Sequence, residues 1–128
     1  MTRVLVIDDE PVVRTLLQKN LEFAGFEVLT AQDGSRGLAT VRDEAPDVVV
    51  LDLMMPHLDG FEVLRQLQAD GSPGAPPVIV LTALSDPSVK IRCLEAGAAV
   101  VMMKPFDPSA LTSEIARLAE TERQPRPA

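Results

Sequence analysis

The sequence predicts an α/β fold, a doubly wound five-stranded parallel sheet with helices on both faces. Three observations carry that expectation. Short β-branched runs alternate five times with stretches of helical period. Residues 48–51 and 78–81 are apolar without a break, which suits strands covered on both sides. Pro and Gly stand at the joins, where helices start and stop. Five β–α units in strict alternation imply parallel strands joined by right-handed crossovers.

Residues 4–7 form the first expected strand. Pro11 then opens a helix with Val13, Leu16, Leu17, Leu21 and Ala24 at three-to-four spacing, and Gly25 ends it. Residues 26–30 read as a half-exposed strand nearer a sheet edge. Asp33 caps a helix running to about Glu44, and Pro46 forces the chain out of it. A third strand is expected at 47–51 and a third helix at about 59–69, burying Phe61, Leu64 and Leu67. The Gly- and Pro-rich segment 70–77 is a loop. Strand four spans 78–81, Pro87 starts a helix ending near Gly97, and strand five spans 99–102. Asp107 and Pro108 open a last helix with Leu111, Ile115 and Leu118 on one face. The domain is expected over 1–120, with 121–128 a flexible tail or the start of a linker.

The chain of 128 residues is long enough for one domain, burying roughly two thirds of its unfolded surface. One cysteine, Cys93, excludes an internal disulfide, and its place on the fourth helix makes it an ordinary packing or surface position. No secretory signal opens the chain, and no apolar stretch approaches the roughly 20 residues of a membrane helix. A cytoplasmic protein without membrane contact is expected. A net charge of −7 and only four aromatic residues, all Phe, argue against direct nucleic-acid binding by the domain.

In parallel α/β sheets, ligands bind outside the carboxyl ends of the strands. Strand one ends in Asp8 and Asp9, strand three in Asp52, strand four in Thr82, and strand five runs into Lys104 and Pro105. Three carboxylates there repel one another unless a cation lies among them, and oxygen donors of this kind suit Mg²⁺. A hydroxyl and an ammonium beside them suit the anionic oxygens of a phosphoryl group, and together they point to phosphoryl transfer onto a carboxylate. Taken singly, a strand-end Asp is usually a cap or turn residue and a Lys-Pro usually a turn; their joint occurrence at four of five strand ends is the signal. His57 has no neighbouring His or Cys and reads as a loop residue.

The run from Val4 to Glu10, the run from Asp52 to Gly60, Leu81-Thr82-Ala83 and Lys104-Pro105-Phe106 resemble, in order and spacing, the receiver domain of two-component response regulators. The resemblance covers about residues 2–120. It implies a flavodoxin-like (β/α)5 fold with strand order 2-1-3-4-5. It implies that Asp52 accepts a phosphoryl group from a histidine kinase, a histidine phosphotransferase or a small phosphodonor. Asp9, Asp52 and the backbone carbonyl of Met54 would coordinate Mg²⁺, with Asp8 acting through water. Thr82 and Lys104 would engage the phosphoryl oxygens, Ala83 leaves room beside them, and Pro105 would follow a cis peptide bond. The signal would pass to a downstream protein or fused output domain through the face made by strand four, helix four, strand five and helix five. Such a domain is not a conventional enzyme.

Three departures from the family pattern matter. Val101 stands where receivers usually carry an aromatic residue, and a stiff valine offers no swinging side chain, so readout should run through backbone shifts around helix four. Ala99 and Val100 replace frequent acidic residues, which disfavours a salt-bridged dimer face and leaves either an exposed apolar patch or simple burial. Met54 and Leu84 cannot orient an attacking water, which predicts slow self-dephosphorylation. Two rivals remain. A phosphohydrolase with an aspartyl nucleophile usually has a second Asp two residues on, where this chain has Met54. A scaffold that works without phosphorylation does not need the intact set of Asp8, Asp9, Asp52, Thr82 and Lys104. A flavodoxin-like cofactor binder is weaker still, since no Gly/Ser/Thr phosphate loop follows strand one.

Overall fold

Alternation of side chains along the strands divides the core in two. The computed structural model describes residues 1–53, 60–69, 75–83 and 86–123. Its strands are β1 (Arg3–Ile7), β2 (Glu27–Ala31), β3 (Val48–Asp52), β4 (Val78–Thr82) and β5 (Val100–Met103). Its helices are α1 (Pro11–Phe23), α2 (Gly34–Glu44), α3 (Gly60–Ala69), α4 (Pro87–Glu95) and α5 (Pro108–Arg123). All neighbouring strands are parallel, in the order β2-β1-β3-β4-β5. Leu5, Ile7, Val49, Leu51, Val78 and Val80 face one cluster, closed by Val63, Leu64 and Leu67 of α3 and Cys93 of α4. Val4, Val6, Val48, Val50, Ile79 and Leu81 face the other, closed by Leu17 and Leu21 of α1 and Leu111, Ile115 and Leu118 of α5. The five-stranded doubly wound sheet and its strand order are those expected.

Local signals explain most helix ends. The Asp33 carboxylate accepts a hydrogen bond from the Arg36 amide and caps α2. Asp86 does the same for α4 through Ser88, and Asp107 accepts from Ser109 at the start of α5. Pro11 and Pro87 sit at the first helical position, and Gly25 and Gly97, at φ 99° and 110°, follow α1 and α4.

Some boundaries and faces differ from expectation. β3 extends to Asp52, which pairs with Leu81 in the ladder, so the carboxylate belongs to the sheet itself. β5 starts one residue later than expected, at Val100, although the Ala99 amide already donates to the Val78 carbonyl. On α1 the buried stripe is Val13, Leu17 and Leu21, four residues apart; Leu16 lies off it and is 58% exposed, and Ala24 caps the helix outside the core. Val63, not anticipated, is fully buried beside Leu64, whereas Phe61 is half-buried under the Arg92 guanidinium, 4.0 Å from its ring centroid. α5 continues to Arg123, three residues into the expected tail, since the first proline after it is Pro125. Ala99 is exposed and Val100 half-buried, with Met103 of β5 and Ile91 and Leu94 of α4 also exposed, so this side of the sheet presents apolar surface.

Gly60 shows how tightly α3 is set against the site. A Cβ there would meet the backbone of Leu53, at 2.7 Å from its Cα, and backbone cannot step aside. At Gly37 the obstacle is instead the Ile7 side chain, 2.8 Å away at Cγ1, which can rotate. Gly60→Ala should therefore destabilise by about 2–3 kcal/mol and Gly37→Ala by roughly half that. Urea unfolding of the two variants tests this; equal midpoints would show that Leu53 yields as easily as a side chain.

Candidate functional site

The order of strands reverses between β1 and β3, and the polar residues gather at that switch. Asp8 directly follows β1, Asp52 ends β3, and Thr82 ends β4; all three are buried, at 1%, 6% and 1% exposure. Asp9 is half-buried. Asp8, Asp9 and Asp52 bring one carboxylate oxygen each within 4.8 Å of one another. From the end of β5, the Lys104 ammonium reaches 3.5 Å from an Asp52 oxygen and 3.9 Å from Asp8 Oδ2. The structure thus brings together Asp8, Asp9, Asp52 and Lys104, with Thr82 one strand away. Met54, Leu84 and His57 lie outside the described residues.

Backbone bonds fix these strand ends. The Lys104 amide donates to the Thr82 carbonyl at 2.8 Å, the Leu53 amide to Leu81 at 3.1 Å, and the Asp8 amide to Ala31 at 3.1 Å. The Lys104–Pro105 peptide is cis, as anticipated. At the turn after β1, the Glu10 amide donates to Asp8 Oδ1 at 2.9 Å, and Arg14 Nη1 donates to the Asp8 carbonyl at 2.7 Å. Sequence reading missed Arg14. An arginine in the first turns of a helix reads as solvated surface, and nothing in periodicity says that it folds back onto the turn before it.

The electrostatics are those of a site short of positive charge. Burial pushes the Asp8 carboxyl above its ordinary value of 3.8, and the charges of Asp52 and Asp9 add to the push. The Glu10 amide and Lys104 oppose it without cancelling it. Among the described residues, Asp8 Oδ2 is the buried side-chain oxygen with no hydrogen-bond donor. An orphaned, buried carboxylate oxygen beside two more carboxylates fits a hard divalent cation. Cys93, by contrast, is buried and its thiol is pushed up by that burial, as suits a packing residue.

The sign of the Asp8 shift makes a prediction. The unfolded chain releases this proton near pH 3.8 and the folded chain at higher pH, so stability falls across that interval and stays lower above it. In metal-free protein at neutral pH, Asp8→Asn should raise stability by about 1 kcal/mol, or roughly 3–6 °C in Tm. Added Mg²⁺ should then stabilise the variant less than the parent. Thermal melts with and without Mg²⁺ read both effects; a variant that melts lower without metal would refute the argument.

Comparison with known proteins agrees with the geometry. The family model described as the response regulator receiver domain matches residues 4–116. The DNA-binding dual master transcriptional regulator RpaA of Synechocystis is 40% identical over 129 residues, covering 100% of this chain and 54% of that protein. The alkaline phosphatase synthesis transcriptional regulatory protein PhoP of Bacillus subtilis is 42% identical over 113 residues, covering 88% and 46%. The chain therefore spans about half the length of these curated relatives. Among solved structures, the Francisella response regulator 1452 receiver domain superposes with a TM-score of 0.89 at 31% identity, covering 96% of this chain and 100% of that one. The chemotaxis response regulator CheY4 of Vibrio cholerae gives 0.83 at 32% identity, covering 92% and 98%. With the strand-end carboxylates, the lysine and the sheet order all in place, the chain belongs to the response regulator receiver domain family.

Proposed function

We propose that this receiver is a two-component or phosphorelay switch, thrown by transfer of a phosphoryl group to Asp52. The observation that supports it most is the placement of Lys104 between Asp52 and Asp8, within 3.9 Å of both, in a buried cluster still short of positive charge. An Asp52 carboxylate oxygen attacks phosphorus, and the bond from phosphorus to a phosphohistidine nitrogen or an acyl oxygen breaks. The departing histidine or acid keeps the electron pair, and an acyl phosphate linkage remains on Asp52. Lys104 holds one phosphoryl oxygen by charge, and the Thr82 hydroxyl turns toward another. Asp8, Asp9 and Asp52, with the Met54 carbonyl, are the residues to hold Mg²⁺; when bound, the ion supplies the charge that the transferred group's oxygens need.

The upstream partner is a histidine kinase or histidine phosphotransferase. The output is a downstream protein or a fused domain, reached through the face of β4, α4, β5 and α5. RpaA carries a DNA-binding description while this chain covers 54% of it, which supports a fused output rather than nucleic-acid binding by the receiver itself. No described helix is long and apolar enough to cross a membrane, and the proposed site of action is the cytoplasm.

Two measurements test this reading. Intact mass after incubation with acetyl phosphate and Mg²⁺ should show one phosphoryl adduct on the parent and none on Asp52→Ala. Met54→Asn combined with Leu84→Glu should lose that adduct about tenfold faster, by giving water an orienting partner. No adduct from acetyl phosphate or from any phosphorylated kinase would leave the scaffold reading standing. The second concerns Val101, which is half-buried and packs against the α3 side of the core. Phosphorylation should shift the amide resonances of residues 83–90 while the Val101 side chain keeps its rotamer; unmoved resonances there would sink the backbone route.

A further inference from the structure

A groove of about 460 Å³ opens between α1, the end of β2 and α2, lined by none of the clustered carboxylates although Arg14 and Ala31 both bond to the Asp8 backbone. It is lined by Arg14 and Arg36 with the neutral polar residues Thr30, Gln32 and Thr40, and by no carboxylate residue. In a chain of net charge −7 that combination is unusual. Arg14 commits one nitrogen to the Asp8 carbonyl, and among the described residues no carboxylate lies within ion-pair distance of it. That bond orients the guanidinium while most of its five N–H donors stay available. Arg36 meets Asp33 only at 4.0 Å with a side chain 68% exposed, a pairing worth little, and the other oxygen of Asp33 is engaged in capping α2.

We propose that this groove is a second, anion-binding site, taking a phosphate group of a small molecule between Arg14 and Arg36. Two planar guanidiniums contributed by different helices match a tetrahedral dianion better than a single carboxylate. The Thr30 hydroxyl and the Gln32 amide can supply further hydrogen bonds without repelling it, whereas the Thr40 hydroxyl already donates to the Arg36 carbonyl. The site is open to solvent, so affinity for the bare ion is modest, on the order of millimolar. A phosphate monoester can fill more of the volume than the free ion.

Amide and arginine Nε resonances, followed while inorganic phosphate is added to metal-free protein at constant ionic strength, test this directly. Saturable shifts are expected at Gln32, Asp33, Arg36 and the Arg14 Nε, weakened about fivefold or more by Arg36→Gln, a change on an exposed side chain. Arg14→Lys keeps the charge but loses the fork, and should also weaken binding. Glycerol 3-phosphate serves as the second probe: tighter binding than phosphate assigns the groove to an ester, equal binding to the free ion. Asp52→Ala should leave the groove shifts intact, which separates this site from the phosphoryl-accepting one. Shifts confined to Thr82 and Lys104, shifts that rise linearly without saturating, or an affinity untouched by Arg36→Gln would each overturn the proposal.

Discussion

Repulsion among Asp8, Asp9 and Asp52 is the constraint around which the rest of the molecule is arranged. Three carboxylates whose oxygens approach within 4.8 Å, two of them buried, form an arrangement that no fold adopts for stability's sake. Lys104 offsets part of the repulsion from 3.5 and 3.9 Å but leaves Asp8 Oδ2 without a donor. A site held in that condition responds strongly to any added charge. A divalent cation would relieve it, and in the proposed switch a phosphoryl group on Asp52 would redistribute it by giving Lys104 a new partner. The sensitivity that makes a switch is the same quantity as the local instability.

Such a cluster persists because its surroundings over-determine it. Every residue of β3 and β4 is buried, and both strands pack apolar side chains against helices on two faces. The carboxylates therefore sit at the ends of the inner strands β1 and β3, each of which is paired on both sides. α3 adds a further clamp where Gly60 meets the Leu53 backbone next to Asp52. Burial of this apolar surface, at roughly 25 cal/mol per Å², is large enough to tolerate a few kcal/mol of electrostatic cost at one edge.

Most of this was legible in the residues. Unbroken apolar runs at 48–51 and 78–81 announced buried parallel strands, and the caps at Asp33 and Asp107 and the prolines at 11 and 87 placed helix starts within a residue. Asp8, Asp9, Asp52 and Lys104 were legible because strand ends are where a parallel sheet puts its chemistry, so position along the chain implied proximity in space. What stayed hidden depended on the angular setting of one element against another. Leu16 fits a helical period as well as Leu17 does, and only the docking of α1 on the sheet decides which is covered. Arg14 looked like solvent-facing charge because its role depends on the path of a turn, and Arg36 joins it in a groove only through the packing of two helices.

The distribution of packing also says which way a signal can travel. β1 and β3 lie inside the sheet with ladders on both sides, whereas β5 is an edge, half-buried along its length, with Met103 exposed. α4 buries only Cys93 fully and leaves Ile91 and Leu94 in solvent. A rearrangement driven from Asp52 would meet close-packed residues toward β1 and looser ones toward β5. Thr82 and Lys104 stand between the two, joined by the 2.8 Å bond from the Lys104 amide to the Thr82 carbonyl. In the proposed switch, a pull on either side chain would be shared by both strands and passed toward the more loosely packed side of the sheet. The apolar surface there would give the proposed movement something to expose or withdraw, and with Val101 in place of an aromatic side chain the strands and α4 would have to carry that change themselves.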